Sequence, residues 1–181
     1  MKLIEFDGTD FKIADEALLV RPIRELFEQD TNPRKEEFWK QISYLWFMCD
    51  PRSTYMYLVD EDARAAEIKT QEGFPEGWTP DALLQEAMAI YRKHTLTTSA
   101  LMLESLRKGS ENIRKFIEDI DLSERDKNGK PIYQVSTYTN TLGQIPELAR
   151  KISEAEKALA KDFATEDLAR GSVEKSAGED L

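Results

Sequence analysis

The feature that most restricts the fold of this chain is an aromatic segment at residues 34–49. Its apolar residues recur at the spacing of a helix, namely Phe38, Trp39, Ile42, Leu45, Trp46 and Cys49. Tyr44, Phe47 and Met48 then make its end apolar almost all round. A helix with apolar residues on every side has to be buried, either in the core of its own chain or in an interface. We therefore predict that this helix is the folding centre of the molecule.

A small β-hairpin is predicted at the start of the chain. Residues 2–6 and 11–14 have the pattern of two short strands around Asp7-Gly8-Thr9-Asp10. The Asp-Gly pair favours a tight turn because glycine adopts a positive φ without steric cost. Two strands alone are marginally stable, so this hairpin needs cover from its own chain or from a neighbouring subunit.

Short helical elements are predicted on either side of the aromatic helix. Residues 16–30 form a helix in which Pro22 either introduces a kink or marks the first turn. The apolar residues 54–59 fit either a strand or a helical turn. Three acids at residues 60–62 fit the start of another helix, because the exposed N–H groups of a helix start favour negative charge.

The second half of the chain predicts two longer helices. Thr79-Pro80-Asp81 has the features of a helix start, with Thr79 as the capping hydroxyl. From there, apolar and small residues at spacings of three and four continue for about forty residues, with Gly109-Ser110 as the expected site of a kink. After a polar turn, a final helix begins within residues 136–146 and ends near Arg170. Its narrow apolar stripe favours an antiparallel helical hairpin.

The predicted fold is therefore mainly α, a helical bundle with a long helical hairpin and a small N-terminal β-hairpin. Residues 1–78 hold the β-hairpin and the short helices, and residues 79–170 form the helical hairpin of the same domain. The last residues, 171–181, have almost no apolar content, and we predict that they form a flexible tail or a peptide that is ordered only on binding.

Composition excludes several classes of protein. The 181 residues include 25 Lys and Arg against 35 Asp and Glu, and the resulting net charge of -10 argues against a phosphate-binding surface. The single cysteine, Cys49, rules out a disulfide framework and a multi-cysteine zinc site, and the single histidine, His94, rules out paired-histidine metal motifs. The longest strongly apolar run, 44–49, is far shorter than the roughly 20 residues of a membrane helix. We expect an intracellular protein without a membrane segment, cofactor or metal.

Two acidic patterns resemble metal sites but are better explained structurally. The acids at 60–62 could join Glu67 around Mg²⁺, yet adjacent acids on one helix point in different directions. Residues 124–129 have half the pattern of a calcium loop, but Val135 stands at the twelfth position and cannot supply the bidentate carboxylate. We therefore predict a helix start and a turn at these two places.

No set of residues predicts an enzyme. Cys49 has no nearby base in the sequence and is expected to be a small buried hydrophobe, while His94 is expected at the surface or on a helix seam. The basic residues of 107–115 could touch nucleic acid, but the acids among them favour a solvated helix face. Aromatic side chains are enriched in cores and at the centres of interfaces. The candidate interface aromatics are Trp39, Tyr44, Trp46, Phe47, Tyr55 and Tyr57.

Residues 44–55, Tyr-Leu-Trp-Phe-Met-Cys-Asp-Pro-Arg-Ser-Thr-Tyr, together with the acidic stretch after them, resemble small virion proteins of tailed bacteriophages. The resemblance is to the crAss-like phages of gut Bacteroides and their relatives in particular. In those proteins an aromatic helix ends in an Asp-x-Arg-Ser turn, which here contains Arg52, and an acidic helix with an arginine follows, here Arg64. The Asn128-Gly129 loop and Ile145-Pro146-Glu147-Leu148 at the opening of the last helix are also similar, whereas Thr54 replaces a frequent proline.

The resemblance implies a structural protein of the virion neck, made in the host cytoplasm, that forms a ring adaptor between portal and tail. It implies a homo-oligomer of twelvefold or similar symmetry, contacts with portal and tail proteins, no catalytic residues, and DNA at most passing through the lumen. Arg52 and Arg64 then join the candidate interface residues, and the acidic stretch 60–86 is a candidate partner for 107–115 of a neighbouring subunit. The motifs also fit another virion part, such as a packaged cargo or head-decorating protein. From the residues alone, the alternative is a cytoplasmic helical protein-binding or regulatory module.

Overall fold

The computed structural model describes residues 3–178, with side chains described for residues 3–165, and confirms the predicted fold class. Two strands and six α-helices follow one another along the described chain: β1 (Ile4–Phe6), β2 (Phe11–Ile13), α1 (Arg21–Gln29), α2 (Glu36–Cys49), α3 (Glu61–Gln71), α4 (Ala82–Thr95), α5 (Thr98–Asp119) and α6 (Val135–Gly178). Short 3-10 helices at Asp15–Leu19 and Thr54–Tyr57 complete the described elements.

The β-hairpin forms as predicted and is covered by its own chain. β1 and β2 pair antiparallel, with Phe6 opposite Phe11. In the turn, Gly8 has a φ of 100°. The Asp7 carboxylate accepts hydrogen bonds from the N–H groups of Thr9 and Asp10. These contacts close the turn that the Asp-Gly pair predicts.

Local signals place the first helices correctly. Pro22 lies in the first turn of α1, so it starts that helix and does not kink it. The ambiguous segment 54–59 contains a 3-10 turn. Asp60 caps α3, because its carboxylate accepts a hydrogen bond from the N–H of Ala63 at 2.8 Å.

The core of the chain is built around α2, as predicted. Phe38, Ile42 and Leu45 of this helix are completely buried. They belong to a cluster of buried side chains that also includes Ile23 of α1 and Tyr91 of α4. The aromatic helix is therefore a core helix, and the β-hairpin, α1, α3 and α4 gather on it.

The prediction of one helix of about forty residues from Thr79 was wrong, because the chain breaks between α4 and α5. Leu96, which follows α4, has extended backbone angles, and α5 begins at Thr98. The Thr95 hydroxyl at the end of α4 donates back to the carbonyls of Tyr91 and Arg92. The predicted cap was also wrong, since the side chain of Asp81, two residues after Thr79, accepts from the N–H of Leu84 at 2.7 Å.

The structure divides the chain into two compact units. The first contains residues 1–97 and 160–181, and the second contains residues 98–159. α4 belongs to the first unit, whereas the sequence placed it in the helical hairpin. In the second unit α5 and the first part of α6 form the hairpin, and Arg107 of α5 donates to the Glu156 carboxylate at 3.0 Å.

The last helix is longer than predicted. α6 begins at Val135, just before the predicted window, contains Pro146 in its interior, and ends at Gly178, beyond the predicted end near Arg170. The backbone of 171–178 is therefore helical, and residues 179–181 of the predicted tail lie outside the described residues. The flexibility of this tail stays a prediction.

Gly109 and Ser110, where the sequence predicts a kink, lie inside the uninterrupted helix α5, and the kink itself stays a prediction. A Cβ atom added at Gly109 would meet nothing within 4 Å. Gly109→Ala should therefore raise the free energy of unfolding by about 1 kcal/mol, since alanine loses less backbone entropy in a helix. Urea denaturation checks this. Gly129→Ala is the control and should destabilise the chain, because Gly129 has a φ of 76°; a loss of stability in Gly109→Ala would contradict the account.

Candidate assembly interface

Four of the candidate interface aromatics lie in α2, and three of them are buried in their own chain. Tyr44 is 2% exposed, and Trp46 and Phe47 are each 4% exposed. The ring of Phe6 in β1 lies 5.1 Å from Trp46 and 5.5 Å from Phe47, measured between centroids. Phe11 in β2 contacts the same two rings. Trp46 and Phe47 therefore cover the β-hairpin.

Tyr44 holds the loop between α3 and α4. Its ring centroid lies 5.4 Å from that of Phe74 and 4.8 Å from that of Trp78. The two loop aromatics also contact each other, with centroids 4.5 Å apart. Edge-to-face and tilted ring pairs of this kind add to the stability of a core, so the loop is fixed by aromatic packing.

A buried carboxylate directly follows α2. Asp50 is completely buried, and the guanidinium of Arg52 donates to both of its oxygens, at 2.8 and 2.7 Å. The hydroxyl of Tyr91 in α4 donates to the same carboxylate at 2.6 Å. Burial and the negative charge of Asp50 raise the pKa of Tyr91 well above its usual value, so this hydroxyl stays a donor. The network joins the end of α2 to α4.

Arg52, a candidate interface residue, also connects further parts of the first unit. Its Nη2 donates to the carbonyl of Ile4 in β1 at 3.2 Å. Its guanidinium carbon lies 4.5 Å from the ring centroid of Phe163 in α6, a cation–π arrangement. Phe163 itself is buried. Arg52 thus contacts the β-hairpin, Asp50 and α6 of its own chain.

Arg64, the second cation of the candidate set, is buried on α3. Its Nε and Nη2 donate to the carbonyl of Leu58 at 2.9 and 2.6 Å, and its Nη1 donates to the carbonyl of Met48 at 3.2 Å. Met48 lies in the last turn of α2, where carbonyls have no partner within the helix. Arg64 therefore satisfies the end of the core helix.

The other three candidate interface residues are more accessible. Trp39 is half-buried, with its ring centroid 5.2 Å from that of Phe38. Tyr55 is half-buried and its hydroxyl donates to the Glu72 carboxylate at 2.6 Å. Tyr57 is 64% exposed. The participation of the eight residues in an interface stays a prediction, and Tyr57 is the member with the largest accessible fraction.

Cys49 lies buried beside an arginine, and His94 lies exposed on α4. The Nε of Arg92 is 3.4 Å from the Cys49 sulfur. Burial raises the pKa of the Cys49 thiol to about 11 despite this cation. A thiol with this pKa is protonated near neutral pH, whereas the thiolate is the nucleophile. Both side chains are placed as the sequence predicted.

Several of the acidic residues considered for metal binding have structural partners. Asp60 caps α3, and Glu61 accepts a hydrogen bond from Arg92 at 2.9 Å. Among the residues that the structure describes, no group of three or more His, Cys, Asp or Glu side chains could hold a metal ion. A cleft of about 120 Å³ beside Arg52 is smaller than the roughly 300 Å³ at which ligand pockets begin. The turn at 124–129 also forms, with the Asp126 carboxylate accepting from two N–H groups.

The basic residues of α5 pair with acids of the helical hairpin itself. These ion pairs join Arg107 to Glu156, Lys108 to Glu104, Arg114 to Glu111 and Glu118, and Lys115 to Glu111. The pairing with residues 60–86 of a neighbouring subunit stays a prediction.

The helical hairpin leaves several of its large apolar residues exposed, which the sequence did not show. Residues 104–154, all of them described, include no buried side chain. Exposed large apolar residues in the second unit are Leu101, Met102, Ile132, Val135, Leu142 and Ile145. Ala155 and Leu159 further along α6 are buried. The narrow stripe was visible in the sequence, but whether a stripe is covered depends on tertiary contacts.

Comparison with known proteins identifies no relative. No protein-family model, no curated protein and no solved structure matches the chain. In the described part of the chain, no helix combines the length and the apolar character that crossing a bilayer requires.

Proposed function

We propose that this chain is a structural virion protein of a tailed bacteriophage, a ring-forming connector in the neck between portal and tail. The observation that carries the proposal is the uncovered apolar stripe of the helical hairpin formed by α5 and the first part of α6. Val135, Leu142 and Ile145 of α6 are exposed, and residues 104–154 contain no buried side chain. An apolar surface of this kind on a folded chain is typical of a protein–protein contact.

The first unit supports the proposal in a different way. Its aromatic residues and both arginines of the candidate set mainly serve the internal core, so this unit can act as a rigid body that presents its outer surface to neighbours. A closed ring requires two different surfaces on each subunit, because its contacts are head-to-tail. The two compact units of the chain together offer surface for contacts with further copies, the portal and the tail.

Charge and motif also support a place in the neck. The net charge of -10 disfavours adhesion to DNA, which suits a conduit through which DNA has to pass. The resemblance of residues 44–55 to virion proteins of crAss-like phages points to the same setting. Partners of the ring are then further copies of the chain, the portal and the tail.

Native mass measurement of the full chain tests the proposed function. We expect a closed oligomer, near twelve times the 20.8 kDa monomer mass if the symmetry follows the portal, and ring-shaped particles in electron micrographs. The measurement is made on the chain alone and with the portal protein of the same phage. A monomer or dimer in both samples would overturn the connector and favour a cytoplasmic binding module.

A further inference from the structure

The longest stretch of the chain without a charged residue is 131–146, which is sixteen residues long. The chain as a whole is 33% charged, so an uncharged stretch of this length stands out. It includes the end of the polar loop and the start of α6 up to Pro146, and most of its residues are exposed. We call it the uncharged segment.

Burial does not explain the lack of charge in the uncharged segment. Residues 41–49 of α2 also lack charge, but they belong mostly to the buried core. By contrast, Val135 is 64% and Leu142 38% exposed. Charged residues are depleted at the centres of protein interfaces and apolar residues remain there. In its lack of charge and its exposed apolar residues, the uncharged segment therefore resembles an interface centre.

The apolar residues of the uncharged segment lie on one face of α6. Val135, Tyr138, Leu142 and Ile145 follow one another at spacings of three and four, which places them in a single stripe. Pro146 has no N–H group, so it cannot donate the usual helical hydrogen bond to the carbonyl of Leu142. The segment thus offers a partner an apolar stripe.

A second exposed apolar patch lies in the same unit, near the start of α5. Leu101 is 48% and Met102 is 59% exposed, and they belong to the uncharged run 95–103. We call these two residues the α5 patch. Like the uncharged segment, the α5 patch has apolar side chains at the surface and lies in a stretch of the sequence that contains no charged residue.

The two patches lie too far apart to cover each other within one chain. The ion pair between Arg107 and Glu156 shows how the antiparallel helices are aligned. Ile145 lies eleven residues before Glu156 in α6, so it is level with Glu118, which lies eleven residues after Arg107 in α5. About 25 Å of α5 therefore separates the α5 patch from the uncharged segment, at 1.5 Å per residue. Two copies placed head to tail can bring the patches together.

The charge distribution favours a second copy of the hairpin as the occupant. Residues 98–159 contain ten acidic and ten basic residues, so the whole net charge of -10 lies on the rest of the chain. Contact between two copies through the rest of the chain brings like charges together, whereas contact through 98–159 does not. Interspersed charges of both signs on the hairpin can also pair at the rim of such a contact.

We propose that the uncharged segment of one copy docks on the α5 patch of the next copy. This inference rests on the proposed function, because a contact between two different surfaces is what propagates around a ring. Leu142 and Ile145 of one hairpin pack against Leu101 and Met102 of its neighbour.

Two single substitutions in the full chain test the docking. Leu142→Glu places a charge in the uncharged segment, and Met102→Glu places one in the α5 patch. Each should weaken assembly at least about 100-fold, because a charge buried in an apolar contact loses its hydration. Asn140→Glu is the matched control, since Asn140 lies on the opposite side of the α6 stripe, and it should assemble like the unaltered chain. Mass photometry across a concentration series gives the readout.

Mixing the two variants gives the sharper result. The Leu142→Glu chain keeps its α5 patch and the Met102→Glu chain keeps its uncharged segment, so a mixture should form one-to-one pairs that grow no further. The docking would be overturned if either variant assembled like the unaltered chain, or if the mixture formed no pairs. The connector proposal would still stand in that case, provided that the unaltered chain forms rings. An unaltered chain that stays monomeric overturns the connector itself. Circular dichroism melting checks folding, and Leu142→Gln with Met102→Gln repeats the test if a charged variant unfolds.

Discussion

Asp50→Ala should lower the free energy of unfolding by about 3 to 5 kcal/mol, the largest effect we expect from one polar side chain. Asp50 is completely buried and accepts hydrogen bonds from Arg52 and Tyr91. Its removal leaves the guanidinium of Arg52 without its carboxylate and the buried hydroxyl of Tyr91 without an acceptor, and unpaired buried polar groups are costly. Urea denaturation of the purified chain measures the change.

Three companion variants show whether the network is the cause. Tyr91→Phe removes one hydrogen bond and should cost only about 1 to 2 kcal/mol. Asp50→Asn keeps the shape and one acceptor oxygen, so its cost should lie between those of Tyr91→Phe and Asp50→Ala. Asp62→Ala removes an exposed carboxylate and should change stability by less than about 0.5 kcal/mol. A cost below about 1 kcal/mol for Asp50→Ala would contradict the role of this ion pair.

Phe163→Ala should destabilise the first unit by about 3 to 4 kcal/mol. Phe163 is 6% exposed, and the guanidinium carbon of Arg52 lies 4.5 Å from the centroid of its ring. The substitution removes both the apolar burial and the cation–π contact that attach this part of α6 to the core. The free energy of unfolding by urea gives the total effect, and hydrogen exchange of residues 160–165 should become faster.

Phe163→Leu separates the two contributions at this position. Leucine keeps most of the apolar volume and loses the ring, so it should cost less than about 1.5 kcal/mol. Ala164→Ser, at the exposed neighbouring position, is the matched control and should be close to neutral. Unchanged stability in Phe163→Ala would show that this contact does not hold α6.

Elements with a local signal were predictable from the sequence. The carboxylates of Asp7 in the Asp-Gly turn and of Asp60 at the start of α3 accept from nearby N–H groups, and the first-turn proline of α1 has its φ already fixed in the helical range. Such signals are local, so a few residues suffice to recognise them. The burial of α2 was also predictable, because its end is apolar almost all round.

The break between α4 and α5 was not predictable from periodicity. Thr95 and Thr98 fit the helical spacing, and the break became visible only from the extended backbone of Leu96. Pro146 shows the reverse case, since it is a helix breaker that lies inside α6. Helix-forming residues on its C-terminal side continue the helix, and Ala155 and Leu159 are buried there.

The roles of the candidate residues depended on contacts distant in sequence. The resemblance to virion proteins placed Arg52 and Arg64 among the candidate interface residues, whereas the partners that the structure gives them are Asp50 and backbone carbonyls of the same chain. The apolar stripe of α6 is exposed at Leu142 and Ile145 and buried at Ala155 and Leu159. This difference depends on tertiary contacts, so the sequence alone did not show it.

Hydrogen exchange at two protein concentrations tests most directly whether the helical hairpin is covered by other copies. Well above the assembly concentration, amides of residues 131–146 should exchange at least about tenfold more slowly than well below it, because docking protects them from local opening. Amides of α2 (Glu36–Cys49) serve as the internal reference and should exchange equally at both concentrations. Equal exchange of residues 131–146 at both concentrations, in a chain whose mass shows assembly, would contradict the account.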